Sequence, residues 1–308
     1  MRHLINLFDV TRGEIDEVFL RARELKQQFE AGRRDPLLAG KVLALIFEKP
    51  SLRNRVSFEA AIAQLGGTGL FMAGKEVGLG WRESVADFAR VVGQLVDGVV
   101  ARTYAHELLE NLARWSPCPV INALSDFQHP CQALGDLFTL TEIWGSVQGR
   151  TLAFVGDGNN VARALAIGCG KLGIKFILAA PPQYQFSGDF QSRLANQVPE
   201  LVWEQLADPK RAVQKADAIY TDVWASMGQE AESEERRRAF AAFQVNVALM
   251  AAAPAQTRFL HCLPAHRGEE VTDEVIDSPR SLVFQQTANG LHLRKALLVR
   301  LLGTSKGG

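Results

Sequence analysis

Five short stretches of the 308-residue sequence group residue types that can hold small polar ligands. The first is Lys49-Pro50-Ser51-Leu52-Arg53-Asn54-Arg55, at the exit of an apolar run and the entry of an amphipathic one. A helix starting there offers unpaired N–H groups and the positive end of its macrodipole. Ser51 and Asn54 add neutral donors, and Arg53 adds a planar fork that fits a phosphate. Ser51 as an ordinary N-cap with exposed arginines explains the same residues, so the local pattern leaves both roles open. The second is His129-Pro130-Cys131-Gln132. His129 and Gln132, three apart, share a helix face. A His donor to a carbonyl oxygen, with a Gln offering donor and acceptor, can hold a small amide. A helix start with proline at its first position is the plainer account.

The third stretch, Gly156-Asp157-Gly158-Asn159-Asn160, follows the apolar run Thr151–Val155. A Gly-rich turn from strand to helix is one part of a dinucleotide site. The next run, however, ends in Ala179-Ala180-Pro181-Pro182, without the acidic residue that holds a ribose. No nicotinamide and no other cofactor is expected. Asn160 at the helix start can bind a carboxylate, or the stretch is a tight turn of residues that tolerate positive φ. The fourth, Asp222-Val223-Trp224-Ala225-Ser226-Met227-Gly228-Gln229, follows Ala218–Thr221. Asp222 then stands at the carboxyl end of a parallel strand, where it can pair with an ammonium or cap its own loop. The fifth, Phe259-Leu260-His261-Cys262-Leu263-Pro264, puts a thiol at a strand end. Such thiols are mostly inert core. His261 and His266 flank it, too few ligands for a metal, and none is expected.

These stretches need elements that end where they begin. Val42–Phe47, Asp97–Ala101, Val120–Ala123, Thr151–Val155, Lys175–Ala180, Ala218–Thr221, Phe259–Leu263 and Leu282–Phe284 read as strands buried on both faces. Phe58, Ile62 and Leu65 share a helix face, as do Val85, Phe88, Val92 and Leu95. This alternation predicts an α/β chain of two domains, each a parallel sheet flanked by helices. A helix from about Pro130 to Trp144, capped by Ser125-Asp126, is expected to join them. The last apolar helix, about Leu291–Leu302, runs into Gly303-Thr304-Ser305-Lys306-Gly307-Gly308, which should fray. Glu232/Arg236 and Glu234/Arg238 are i,i+4 pairs, read as a solvated helix face.

Composition bounds the function. Apolar residues make up 47% and charged residues 22%, enough for a sizeable core. Lys+Arg is 34 and Asp+Glu is 34, which removes the electrostatic case for nucleic acid or an anionic membrane but allows a local basic pocket. No run approaches the roughly 18 apolar residues of a membrane helix. Met1-Arg2-His3-Leu4 opens no signal peptide. Cys118, Cys131, Cys169 and Cys262 are far apart with no Cys-x-x-Cys pair, so four free thiols and a cytoplasmic setting are expected.

Taken together, the five stretches resemble the ornithine carbamoyltransferase family in order and spacing, over almost the whole chain. Ser51–Arg55 resembles its Ser-Thr-Arg-Thr-Arg phosphate loop, and His129–Gln132 its His-Pro-x-Gln. Asp222 with Ser226-Met227-Gly228 resembles the loop that closes over ornithine, and His261–Pro264 matches its His-Cys-Leu-Pro. The resemblance implies transfer of the carbamoyl group of carbamoyl phosphate to the δ-amine of ornithine, giving citrulline and phosphate in arginine metabolism. It also implies a homotrimer. It implies a carbamoyl-phosphate-binding domain, residues 1–135 with the helix 289–308 packed on it, and an ornithine-binding domain, residues 136–288. Ser51, Leu52 by its backbone, Arg53, Asn54 and Arg102 would hold phosphate. Arg102 and His129 would hold the carbamoyl oxygen. Gln132 and the carbonyls of Cys262 and Leu263 would hold the carbamoyl NH2. Asn160 would take the ornithine carboxylate, and Asp222 and Ser226 its α-ammonium. Met227 would line the loop, and Cys262 would lie beside the δ-amine.

Four positions depart from the family pattern. Leu52 and Asn54 replace threonines. Gly78 stands where a Gln reaching the neighbouring subunit is expected, and Asn289-Gly290 where an Arg follows the Asn. Arg294, one helical turn on, or Arg82 across a subunit boundary is expected to supply the missing charge. Two other functions are open: a carbamoyltransferase for another amine such as putrescine, and an inactive homologue acting as a binding scaffold. Gly78 and Gly290 favour the scaffold; the intact Arg53, Arg102, His129, Gln132 and Cys262 oppose it.

Overall fold

The computed structural model describes residues 1–79, 81–225 and 230–303. Nine strands among the described residues form two sheets, paired parallel throughout. The chain divides into two compact units, Met1–Phe138 with Ala288–Gly308, and Thr139–Thr287. The helices Pro130–Trp144 and Val283–Leu302 each begin in one unit and end in the other. Among the described residues no helix is long and apolar enough to cross a membrane.

The first unit holds β1 (Val42–Phe47), β2 (Thr68–Ala73), β3 (Gly98–Arg102) and β4 (Val120–Leu124), in the order β2-β1-β3-β4. The aliphatic residues of β1 and β3 are buried on both sides because helices cover both faces of a parallel sheet. Ala44, Ile46, Val99, Ala101 and Val120 pack with Phe88, Leu109 and Leu112 in one core cluster. From β1 the chain moves outward to β2, then returns to the other side of β1 as β3. The carboxyl ends of β1 and β3 therefore flank a topological switch point, where open α/β sheets bind ligands. The helix Leu52–Gln64 starts at that point. Its register is set by Phe58, Ala61 and Ile62, which are buried, and Ser51 is its N-cap.

In the second unit β5 (Thr151–Val155), β6 (Lys175–Ala179), β7 (Trp203–Leu206), β8 (Ala218–Thr221) and β9 (Arg258–His261) are ordered β7-β6-β5-β8-β9. Ala153, Val155, Ile219 and Phe259 pack with Phe240 and Phe243. Phe154 stacks on Tyr220 with ring centroids 5.4 Å apart. Here the switch point lies between the ends of β5 and β8, which lead into Gly156 and Asp222.

Several expectations are corrected. Leu282–Phe284 is no strand: Ser281 makes an isolated bridge to Phe259 and a helix begins at Val283. Its three-residue apolar run fits either element. β9 ends at His261, because Leu263 adopts φ 54° and turns the chain out of the sheet. Ser125 does not cap the helix at Pro130; its Oγ accepts the Gln128 N–H at 3.3 Å, closing the preceding turn. β2 and β7 were not expected. Arg236 pairs with Glu232 as its spacing predicts, but its side chain is buried rather than solvated. All four cysteines are free thiols, as expected.

Candidate active site

In the first unit the polar groups gather at the switch point. Ser51 Oγ accepts the Asn54 N–H at 3.3 Å and Asn54 Nδ2–H at 3.2 Å. Arg55 is taken up by Glu59 at 3.2 Å and by the face of Phe71 at 3.6 Å. Arg53, half-buried, has no hydrogen-bond or ion-pair partner among the described residues. The Leu52 side chain is exposed, so only its backbone can serve a ligand at the helix start. Arg102, at the end of β3, is 6% exposed.

His129 is buried directly before the helix Pro130–Trp144. Burial holds its ring well below the ordinary histidine value, and the nearby Arg102 and Arg294 guanidiniums push it the same way. His129 is therefore a neutral imidazole at pH 7, and its Nδ1 has no partner among the described residues. Gln132 donates Nε2–H to Asp136 Oδ1 at 2.8 Å, which fixes its amide and leaves its Oε1 as an acceptor. Two guanidiniums around a neutral imidazole suit an anionic group joined to a carbonyl oxygen.

The second unit presents the opposite charge. Asp222 Oδ1 accepts from the Val223 N–H at 2.8 Å and from the Cys262 thiol at 2.9 Å, and Oδ2 accepts from Asn159 Nδ2–H at 2.8 Å. Asp157 lies close enough to Asp222 for the two carboxylates to repel. Burial raises the Asp157 carboxyl above its ordinary value, although Arg236 Nη1 donates to it at 2.8 Å. Arg236 Nη1 also donates to the Trp224 carbonyl at 3.1 Å, tying that loop to the Gly156–Asn160 turn. The Cys262–Leu263 turn is held by His261. Its Nδ1 accepts the Leu263 N–H at 2.8 Å, its Nε2 faces Glu270 Oε1 at 3.2 Å, and its own N–H donates to Gln286 Oε1 at 3.1 Å. That network assigns the ring proton to Nε2. Leu263, at φ 54°, is the one non-glycine residue with positive φ among the described residues, and such outliers mark functional turns.

Two second-unit positions were missed in the sequence. Asn159, rather than Asn160, is the N-cap of the helix Asn160–Leu172, accepting from the Val161 and Ala162 N–H groups at 2.9 and 3.0 Å. Two adjacent asparagines precede Val161, the first apolar helical residue, so the local pattern did not choose between them. Asn160 is half-buried in the first helical position. Nothing local marked Glu270, nine residues from His261. His266, Glu269 and Glu270 have potential ligand atoms within 4.8 Å of one another, but Glu269 pairs with Arg237 and Glu270 holds His261 and the His266 N–H. Ser226 and Met227 lie outside the described residues. Asn159→Ala removes a cap and is expected to cost about 1 kcal/mol, read as a lower urea midpoint for the second unit's unfolding. Asn159→Ser retains a capping oxygen and should recover most of that loss.

Two doubly wound units, one presenting arginines at its switch point and the other carboxylates, define an α/β enzyme of two substrates. Residues 2–142 match the carbamoyl-P binding domain of the aspartate/ornithine carbamoyltransferases, and residues 148–301 match their Asp/Orn binding domain. The chain is 49% identical over 309 residues to the ornithine carbamoyltransferase of Pyrococcus abyssi, covering 100% of this chain and 98% of that one. It is 48% identical to the anabolic ornithine carbamoyltransferase of Pyrococcus furiosus, covering 99% and 98%. The solved ornithine carbamoyltransferase from Pyrococcus furiosus superposes with a TM-score of 0.95 at 48% identity, over 99% of this chain and 98% of that one. The chain belongs to the aspartate/ornithine carbamoyltransferase family.

Proposed function

We propose that the protein transfers the carbamoyl group of carbamoyl phosphate to the δ-amine of L-ornithine, releasing phosphate and L-citrulline for arginine biosynthesis. The observation that carries this is the contrast of charge. Arg102 and Arg294 flank a neutral His129 in the first unit, and Asp157 and Asp222 neighbour each other in the second. The first suits a phosphorylated acyl group and the second an amino acid's ammonium. Residues 1–135 with 289–308 form the carbamoyl-phosphate domain, and 136–288 the ornithine domain. Ser51, Leu52 N–H, Arg53, Asn54 and Arg102 hold the phosphate. Gln132 and the carbonyls of Cys262 and Leu263 hold the carbamoyl NH2. Asn160 binds the ornithine carboxylate, Asp222 and Ser226 bind the α-ammonium, and Met227 lines the same loop.

Phosphate is already a good leaving group, so no covalent enzyme intermediate is needed and the protein supplies orientation and charge stabilisation. The δ-nitrogen attacks the carbonyl carbon. Arg102 and the neutral His129 ring stabilise the developing oxyanion, and Arg53 and Arg102 stabilise the departing phosphate. The phosphate takes the amine proton, which accounts for the lack of a glutamate or lysine base among the assigned residues. Cys262 binds or orients the amine through its thiol, which Asp222 anchors.

The nucleophile must be neutral. An alkyl ammonium has a pKa of about 10.4, so presenting the free amine at pH 7.4 costs about 4 kcal/mol. Turnover is therefore expected to rise with pH on the alkaline side. His129, neutral throughout, contributes no acid limb of ordinary histidine pKa. A pH–rate profile checks both statements, and an acid limb abolished by His129→Gln would contradict the second.

Substrate identity is tested by comparing ornithine, putrescine and N-acetylornithine as acceptors. Ornithine should be preferred, because putrescine has no carboxylate for Asn160, and acetylation removes the α-ammonium that pairs with Asp222. Equal rates with putrescine would overturn the assignment. A cytoplasmic setting and a homotrimer complete the proposal; the exposed apolar side chains of Leu52, Trp81 and Leu95 in the first unit support self-association.

A further inference from the structure

We propose that Arg294 is the buried cation of the phosphate-binding loop, acting through Asn54, and that Gly290 is the space that admits it. This rests on the assignment of carbamoyl phosphate to the first unit. Arg294 is 6% exposed, and a guanidinium keeps its charge when buried. A buried charge is costly unless it is paired. Its hydrogen-bond partners are neutral: Nη1 donates to the Gly290 carbonyl at 2.9 Å and Nη2 to Asn54 Oδ1 at 2.8 Å. Its Nε has no partner among the described residues. Asp136, which accepts from Gln132, acts on Arg294 through space. A buried guanidinium whose hydrogen bonds go to neutral groups favours an anion beside it.

The route from Arg294 to that anion runs through two side chains. Because Asn54 Oδ1 takes the guanidinium N–H, Asn54 Nδ2 must face Ser51 Oγ, 3.2 Å away. Ser51 Oγ accepts this bond and the Asn54 N–H, so its own hydroxyl hydrogen is left to donate to a ligand at the helix start. Arg294 thus fixes which way the Asn54 amide points and aims the Ser51 donor. Gly290 lies one helical turn earlier on the same helix. A Cβ there would come within 2.6 Å of Arg294 Nη1, so any side chain at 290 displaces the guanidinium. Of the two residues considered for the missing charge, Arg82 is exposed, and a Cβ at Gly78 would lie 2.7 Å from Arg82 Cβ. Gly78 has φ 64° and ends the short helix Gly74–Val77, which accounts for glycine there without any anion.

Calorimetric titration of the full-length protein with inorganic phosphate tests this without turnover. Arg294→Gln and Gly290→Ala are each expected to weaken phosphate binding about tenfold or more, the loss of a charge-assisted hydrogen bond. In the Asn54→Ala background, Arg294→Gln should cost only about threefold or less, because the path it acts through is already cut. In steady state both single variants should raise KM for carbamoyl phosphate and leave KM for ornithine within about twofold. If Arg294→Gln fails to fold, Gly290→Ala, which retains the arginine, carries the test. Wild-type phosphate affinity in the folded variants, or a wild type that binds no phosphate, overturns the proposal. A wild type that binds phosphate but forms no citrulline would instead sink the transfer reaction and leave Arg294 judged by its own titration.

Discussion

Arg102→Ala is expected to lower kcat/KM for carbamoyl phosphate about a thousandfold, or about 4 kcal/mol of transition-state stabilisation. Arg102 is at the carboxyl end of β3, buried, and close enough to His129 to shift its ring. In the proposed reaction it would face charge that grows on two groups at once, the carbamoyl oxygen and the leaving phosphate. Interactions made mostly in the transition state appear in kcat, so kcat should fall more than KM rises. Arg102→Lys should recover only part of the loss, since an ammonium cannot bridge two oxygens as a guanidinium fork does. Steady-state kinetics with varied carbamoyl phosphate measure this. A tenfold rise in KM with unchanged kcat would place Arg102 in ground-state binding alone.

Asp222→Asn is expected to lower kcat/KM for ornithine about a hundredfold or more, with phosphate affinity unchanged. A buried or half-buried charge pair that loses one partner typically costs about 2–5 kcal/mol. The substitution preserves shape, but Asp222 accepts from Asn159, Val223 and Cys262, and an amide cannot accept from all three as a carboxylate does. Cys262→Ser keeps a donor to Asp222 and should hurt less than Asp222→Asn. Full rate and full ornithine affinity in Cys262→Ser would remove the assigned role of the thiol. Unchanged KM for ornithine in Asp222→Asn would remove that of the carboxylate.

Much of the fold was legible because its central strands are buried on both faces. β1, β5 and β8 were read with their observed bounds, since unbroken aliphatic runs leave little choice of element. β2 and β7 escaped because neither contains a fully buried residue; β2 mixes exposed with half-buried positions and contains Gly69. Leu282–Phe284 misled because its apolar residues belong to a helix start. Within the candidate site, Asp222 and Cys262 were marked by standing at strand ends, Ser51 and Arg53 by opening a helix, and His129 by sharing a helix face with Gln132. Their supports were not. Asn159, His261, Glu270 and Arg236 act through bonds to residues 9 to 79 positions away, which no local pattern encodes. Arg236 looked like half of a surface ion pair, yet its longer reach is to Asp157.

The most direct test follows the reacting carbon. Carbamoyl phosphate labelled with 13C, mixed with ornithine and the wild-type protein, is monitored by NMR. The label should pass into the ureido carbon of citrulline, with one phosphate released per citrulline formed. Label that appears only in the spontaneous breakdown products, at the rate seen without protein and with ornithine untouched, would contradict the account.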